Sequence, residues 1–209
     1  IMVDILSQIV EFRNGESAPH VHHINILTQM LLEQLEQQTE QYQISPMQRD
    51  LIVLASSLHD IGKIGISEKI LNKPGPLTAE EYNEMKKHTL IGAQILKNLE
   101  IYKDEPLVKV AYKICRWHHE RFDGNGYPDG MEGNMIPIAA QVVSVADAYD
   151  ALVSERTYGK GIPSNQAIRM MKDGECGAFN PILIRCLEII QDEIPEKVYN
   201  RKSTPIQSR

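Results

Sequence analysis

The chain has 209 residues, 42% of them hydrophobic and 24% charged, which allows one substantial core and argues against wholesale disorder. Its net charge of −6 gives no sign of the basic face that a binder of DNA or RNA needs, although a few local cations could still hold a small anion. No apolar run approaches the ~18 residues that would cross a bilayer, so no membrane contact is expected of this domain.

In chain order, residues 2–13 place Ile5, Ile9 and Phe12 at helical spacing, a short amphipathic lead-in. From His20 to about Tyr42, Ile24, Leu27, Leu31 and Leu35 repeat at three and four, with Gln and Glu on the wet face. That stripe reads as core or as a dimer face. Ser45-Pro46 is an N-cap followed by proline at the first helical position, and the Leu/Ile/Val-rich helix it opens, up to Leu58, reads as central. Gly62 and Gly65 break that helix, and a loop through Lys73-Pro74-Gly75-Pro76 follows. Thr78 with Glu81 is a capping box that starts a helix to about Lys87. Further helices are expected over 89–98, 106–119, 138–154, 164–172 and 181–192, the last opened by Asn180-Pro181. Between two of these, residues 120–136 hold four glycines and a proline, a long ordered loop. No strand ladder is legible, so the fold class is all-α.

The domain expectation is a lead-in helix over 1–13, one domain over 14–195 and a polar tail over 196–209. A chain starting at Ile1 reads as a piece of a longer protein, with an upstream domain preceding it. The cysteines (Cys115, Cys176 and Cys186) are odd in number and lack CxxC spacing. They read as free thiols in a reducing, cytoplasmic compartment, with thiolate zinc binding not expected.

Seven histidines are present, and their arrangement says more than their number. His59-Asp60 and His118-His119 each stand where an apolar helix meets a glycine-containing loop. Adjacent residues on a straight helix project ~100° apart, but at a helix end the backbone can turn and let both converge on a metal ion. Glu16 and His20, four apart, share a face if the helix reaches back that far; the alternative is a solvated helix start. Asp147 lies in the apolar stretch 139–152, where a lone carboxylate is costly without a cation or several donors, and Asp150 is three residues on. Imidazole and carboxylate without thiolate suit iron, manganese, zinc or nickel. A carboxylate that bridges two ions can set up a clamp on a phosphoryl oxygen, and Lys63 stands beside the pair to offset phosphate charge.

These stretches resemble a known family. Leu58-His59-Asp60-Ile61-Gly62-Lys63 is similar to the signature of HD-domain phosphohydrolases. His118-His119-Glu120-Arg121-Phe122-Asp123-Gly124-Asn125-Gly126-Tyr127-Pro128 resembles the second signature of the HD-GYP subfamily. Asn72-Lys73-Pro74-Gly75, Lys87-His88-Thr89, Val145-Ala146-Asp147-Ala148-Tyr149-Asp150 and Ser154-Glu155-Arg156-Thr157-Tyr158 complete an ordered series over roughly residues 12–190. The resemblance implies an HD-domain helical bundle with a long glycine-containing loop. It implies metal ligands at Glu16, His20, His59, Asp60, His88, His118, His119 and Asp147, holding two or three divalent ions, iron or manganese first. Asp60 would bridge, with Glu16 and His20 serving a third ion. Catalytic roles are implied for Asp60, Lys63 and Asp150, the last from behind the ligands or near the attacking water. Substrate contacts are implied for Lys63, Tyr127, Arg156 and Lys160.

The implied activity is hydrolysis of cyclic di-GMP to pGpG, and on to GMP in some members, by a metal-bridging hydroxide that expels the sugar 3′-oxygen. The competing expectation is a non-hydrolysing cyclic-dinucleotide-binding or protein-interaction signalling domain. An upstream sensory or receiver domain and a homodimer are the partners left open. Four positions depart from the family pattern. Gly159 stands where a lysine is usual, with Lys160 one place on; His23 replaces an arginine, Phe122 a tryptophan and Asn180 an aspartate.

Overall fold

The computed structural model describes residues 2–13, 19–154 and 161–199. Among them the regular structure is helical, with an isolated bridge between Asp123 and Glu132 as the one extended pairing. The helices are α1 (Met2–Arg13), α2 (Pro19–Gln38), α3 (Pro46–Ser56), α4 (Glu68–Leu71), α5 (Ala79–Lys86), α6 (His88–Lys97), α7 (Pro106–Trp117), α8 (Ile138–Val153), α9 (Ser164–Lys172) and α10 (Pro181–Ile190). A 3₁₀ turn, Ile61–Gly65, and a final π-helical turn, Pro195–Tyr199, were not foreseen.

The expected caps form. Ser45 and Gln48 make a reciprocal capping box at α3, and Thr78 and Glu81 make one at α5. The Asn180 side chain accepts from the Ile182 N–H at the start of α10.

The centre of the molecule belongs to α2 and α8 rather than to α3. Ile24, Leu27, Leu31, Leu32 and Leu35 on α2 are fully buried, as are Val142, Val143, Val145 and Ala146 on α8. α2 packs against α3, α8 and α10, so its leucine stripe is core. On α3, Ile52, Ala55 and Ser56 are buried while Leu51, Val53 and Leu54 are half-covered, which places that helix at an edge. The helix ends at Ser56 and not at Leu58 because the chain tightens there: Leu58 N–H donates to Ala55 O and His59 N–H to Ser56 O.

α1 inverts its expected face. Ser7 and Val10 turn inward with Val3, while Ile5, Ile9 and Phe12 are exposed. Both faces carry apolar residues, and periodicity alone does not say which one a neighbour covers. At the other end, Val198 and Tyr199 of the expected polar tail are packed, Val198 in the core beside Ile194, while Glu196 and Lys197 are exposed. No helix among the described residues is long and apolar enough to cross a membrane.

Candidate metal centre

Five segments bring the histidines and acids together. α2 carries His20 at its start, the segment between α3 and the 3₁₀ turn carries His59 and Asp60, α6 opens with His88, and α7 ends into His118 and His119. α8 supplies Asp147. The pieces approach closely because Gly62 lets the turn lie on α6: a Cβ there would stand 1.9 Å from His88 O and 2.4 Å from Gly92 N. Arg13, at the end of α1, holds the far side of the same turn, donating to the carbonyls of Lys63, Ile64 and Ile66 at 3.2, 2.5 and 2.9 Å.

Backbone carbonyls fix the imidazoles. Nδ1 of His59 lies 2.9 Å from Ser56 O, that of His88 2.8 Å from Met85 O, and that of His118 2.9 Å from Ile114 O. A carbonyl only accepts, so each Nδ1 carries a proton and the Nε2 lone pair of each neutral ring is left for the site. His20 is held likewise, its Nδ1 donating to Asp150 Oδ2 at 2.7 Å.

The donor atoms form two groups. One atom each from Asp60, His88, His118 and His119 lie within 4.8 Å of one another, and so do those of His20, His59 and Asp147. Asp60 faces both: its Oδ1 is 3.3 Å from His88 Nε2 and 3.8 Å from His118 Nε2, while its Oδ2 is 3.3 Å from His59 Nε2. His20 Nε2 and His59 Nε2 stand 3.6 and 4.0 Å from Asp147 Oδ1.

Within this cluster, His59 Nε2 and Asp60 Oδ1 are buried without a hydrogen-bond partner. An orphaned buried polar atom costs roughly 1–3 kcal/mol, and two of them facing one another's ligand groups fit a donor set built for cations. The two groups could therefore hold metal ions.

The electrostatics divide across Asp60. Burial and then neighbouring imidazoles push His118 down to about 3, and burial holds His88 and His119 below the ordinary histidine range, so these rings are neutral near pH 7. On the other side, burial of His59 opposes its charged form, yet the Asp60 carboxylate, helped by Asp147 and the Ser56 carbonyl, raises it to about 9. Asp60 itself is held well below the usual carboxylate range: burial works against its charge, but Lys63 and His59 more than compensate.

A metal entering the His20/His59/Asp147 group at neutral pH must expel the proton on His59, whereas the His88/His118/His119 side offers rings already free of one. Mn(II) affinity of the first group is expected to rise with pH up to about 9, by up to about tenfold per pH unit for one displaced proton. Titrations at several pH values below that point would measure it; a flat profile would contradict the assignment.

A cavity of about 590 Å³ opens over the cluster, within the size range of small-molecule sites. Lys63, Tyr82, Arg121, Tyr127 and Phe179 are among its walls, with Asp60, His88, His119 and Asp147 at its floor. Lys63 Nζ lies 2.7 Å from Asp60 Oδ2. Tyr127 stacks on His119 with centroids 4.8 Å apart. Burial, then Tyr82 and the nearby carboxylates, hold the Tyr127 phenol well above its usual range, so it remains protonated.

Of the expected site residues, the structure gathers His20, His59, Asp60, His88, His118, His119 and Asp147 into the cluster and sets Lys63 and Tyr127 in the cavity wall. Glu16, Arg156 and Lys160 lie outside the described residues. Asp150 takes a place behind His20 and away from the cavity walls, with its carboxylate occupied by hydrogen bonds. Of the two expected places for Asp150, this one fits a group acting from behind the ligands.

Sequence reasoning assigned no role to Glu120 or Arg13. Glu120 is buried and ties the long loop from inside, accepting from Asp129 N–H at 2.7 Å and Met131 N–H at 3.0 Å. Gly126 lies against its backbone, where a Cβ would meet Arg121 N at 2.3 Å. A carboxylate inside a glycine-rich loop was the available signal for Glu120. Arg13 offered none.

Comparison with known proteins follows the same outline. A family model described as HD domain matches residues 5–180. The chain is 35% identical over 201 residues to a cyclic di-GMP phosphodiesterase of Thermotoga maritima, covering 96% of this chain and 51% of that protein. It is 35% identical to the cyclic di-GMP phosphodiesterase response regulator RpfG of Xanthomonas campestris pv. campestris, covering 88% and 45%. It is 32% identical to 3′3′-cGAMP-specific phosphodiesterase 2 of Vibrio cholerae, covering 96% and 36%. The chain thus spans about half the length, or less, of the curated relatives it matches. The solved structure of Bd1817, an HDG"Y"P protein from Bdellovibrio bacteriovorus, is similar in fold with a TM-score of 0.61 at 22% identity, covering 84% of this chain and 54% of that one.

Proposed function

This chain belongs to the HD domain family, and on that footing we propose that it is a metal-dependent phosphodiesterase that hydrolyses cyclic di-GMP to linear pGpG, with GMP as the product of a second cut. The observation that carries the reading is Asp60, whose two oxygens face two separate donor groups. The names of the relatives, cyclic di-GMP phosphodiesterases in Thermotoga and Xanthomonas, support the substrate.

His88, His118 and His119 would hold one ion and His20, His59 and Asp147 a second, with Asp60 between them. Glu16 is proposed as a further ligand for a third. The all-nitrogen-and-oxygen donor set favours iron or manganese over a thiolate-bound metal. Divalent ions there supply Lewis acidity, making water a nucleophile near neutral pH and taking up charge that develops on the phosphate.

The chain's own side chains do the rest. Lys63 lines the cavity next to Asp60, so a phosphate oxygen brought to Asp60 falls within reach of its ammonium. Tyr127, neutral and stacked on His119, forms one wall of the cavity. Arg156 and Lys160 are proposed as further phosphate contacts. The catalytic unit is taken as residues 14–195 together with the packed turn that follows, to Tyr199, working in the cytoplasm under an input domain of the same polypeptide, with self-association as part of the reading.

The test is turnover of cyclic di-GMP by protein loaded anaerobically with Fe(II) or Mn(II), with products separated by chromatography. The expected result is pGpG. Loaded protein that binds the dinucleotide and leaves it intact would overturn the proposal. Lys63→Ala is expected to keep its metal content and to lose roughly 10²-fold in turnover, the scale for removing one charge-stabilising group. Metal loss in that variant would instead make Lys63 a structural support of Asp60.

A further inference from the structure

Asp150 is 1% exposed, and its two oxygens are used differently. Oδ2 accepts from His20 Nδ1 at 2.7 Å. Oδ1 takes three donors: His23 Nδ1 at 2.9 Å, Ser154 Oγ at 2.8 Å and Tyr199 Oη at 2.9 Å. A carboxylate rotates easily about its last bond, so one anchored oxygen fixes where the other points. With Oδ1 held by three donors, Oδ2 is presented to His20, and an ionised carboxylate obliges His20 Nδ1 to carry the proton. His20 Nε2 is then left to face Asp147 Oδ1, 3.6 Å away, within the second donor group.

Two of the three anchors are local to the site. His23 is one turn from His20, and Ser154 is four residues from Asp150. Tyr199 is not: it reaches Asp150 across 49 residues, from the turn Pro195–Tyr199. That turn is seated by Ile194 and Val198, buried to 0% and 3% exposure. The Tyr199 ring meets His23 edge-on, with centroids 4.6 Å apart. The HD domain match ends at residue 180, so this donor comes from beyond the matched region.

We propose that Tyr199 is a positioning residue of the metal centre: its hydroxyl, with Ser154 and His23, locks Asp150 so that His20 keeps Nε2 directed at the ions. The last described turn is thereby part of the site's support and not a tail. Outer partners of metal-bound histidines fix ring orientation and tautomer, and losing one costs about 10- to 100-fold in metal affinity. This rests on the reading of His20, His59 and Asp147 as metal ligands.

The experiment uses the 209-residue chain and Mn(II), titrated anaerobically against a competing chelator, with melting curves on the same samples. Four variants are compared with wild type: Tyr199→Phe, Val198→Ala, His20→Ala and His118→Ala. The two histidine variants identify which binding event belongs to which donor group. Tyr199→Phe is expected to melt as wild type does, to keep its affinity at the Asp60/His88/His118/His119 group, and to bind about tenfold more weakly at the other. Val198→Ala perturbs the same turn without touching the hydroxyl, so it should melt earlier and keep both affinities.

Equal affinities in Tyr199→Phe and wild type would overturn the positioning role. Equal weakening in Val198→Ala and Tyr199→Phe would also overturn it, assigning the effect to packing of the turn. Wild type that holds no Mn(II) would remove the ligand assignment itself, a failure distinct from either of these.

Discussion

Asp60→Ala is expected to strip the protein of bound metal and of turnover together. One carboxylate serves both donor groups, with Oδ1 beside His88 and His118 and Oδ2 beside His59. Removing it takes a ligand from one set and the link between the two, so neither group keeps its charge balance. Lys63, 2.7 Å from Oδ2, loses its acidic partner at the same time, and His59 loses the charge that raises it. Breaking a buried pair by deleting one side leaves an uncompensated charge worth roughly 3–5 kcal/mol unless that group gives up its proton. Turnover should fall by on the order of 10³-fold or more, the upper scale for losing one electrostatic group, because here an ion goes with it. Asp60→Asn keeps the shape and should behave alike in metal content, measured by elemental analysis of the purified protein. Retained metal and full activity in either variant would mean that the centre has been placed wrongly.

Gly62→Ala is expected to damage the fold and the metal centre together. The new Cβ would lie 1.9 Å from His88 O and 2.9 Å from His88 C, both backbone atoms in the first residue of α6, so no side chain can swing aside. Either the 3₁₀ turn or α6 must retreat by more than an ångström. Overpacking of this kind costs roughly 3 kcal/mol or more. For a chain of this size that corresponds to a melting temperature lower by about 10 °C. The retreat would also separate Asp60 from His88, now 3.3 Å apart, so metal content should drop even in protein that still folds. Gly65→Ala is the control: the nearest atoms there are the side-chain carbons of Ile91, which can move. Similar melting curves for the two variants would show that close backbone approach at Gly62 is not what holds the turn.

The local parts of this architecture were legible in the sequence. Ser45-Pro46, Thr78 with Glu81, and Asn180-Pro181 announce helix starts through chemistry confined to four residues, and each forms as expected. His59-Asp60 and His118-His119 stood out because each pair sits at a helix end beside glycine. His88 did not stand out in that way; alone it is an ordinary histidine before a threonine, and the family resemblance was needed to pick it. What local pattern could not supply is partnership at long range. Asp150 looked like a second acid near the chemistry because it follows Asp147 by one turn. Its role is set by His20, His23 and Tyr199, none of them near it in sequence. α1 failed for a related reason: Ile5, Ile9 and Phe12 make as good a stripe as Val3, Ser7 and Val10, and only the neighbours decide which is covered. The overestimate of α3 to Leu58 reflects an apolar run that outlasts the helical backbone, whereas residues 39–41 past the end of α2 are polar and carry no glycine or proline to mark the stop.

Arg13 adds a mechanical property to the centre. One guanidinium grips three consecutive-turn carbonyls, on Lys63, Ile64 and Ile66, and the Arg13 carbonyl in return takes the Asn72 amide. The first helix and the segment that bears Asp60 and Lys63 are therefore yoked like a crank to its shaft. A tilt or twist of α1 would pull on the same turn that carries Lys63.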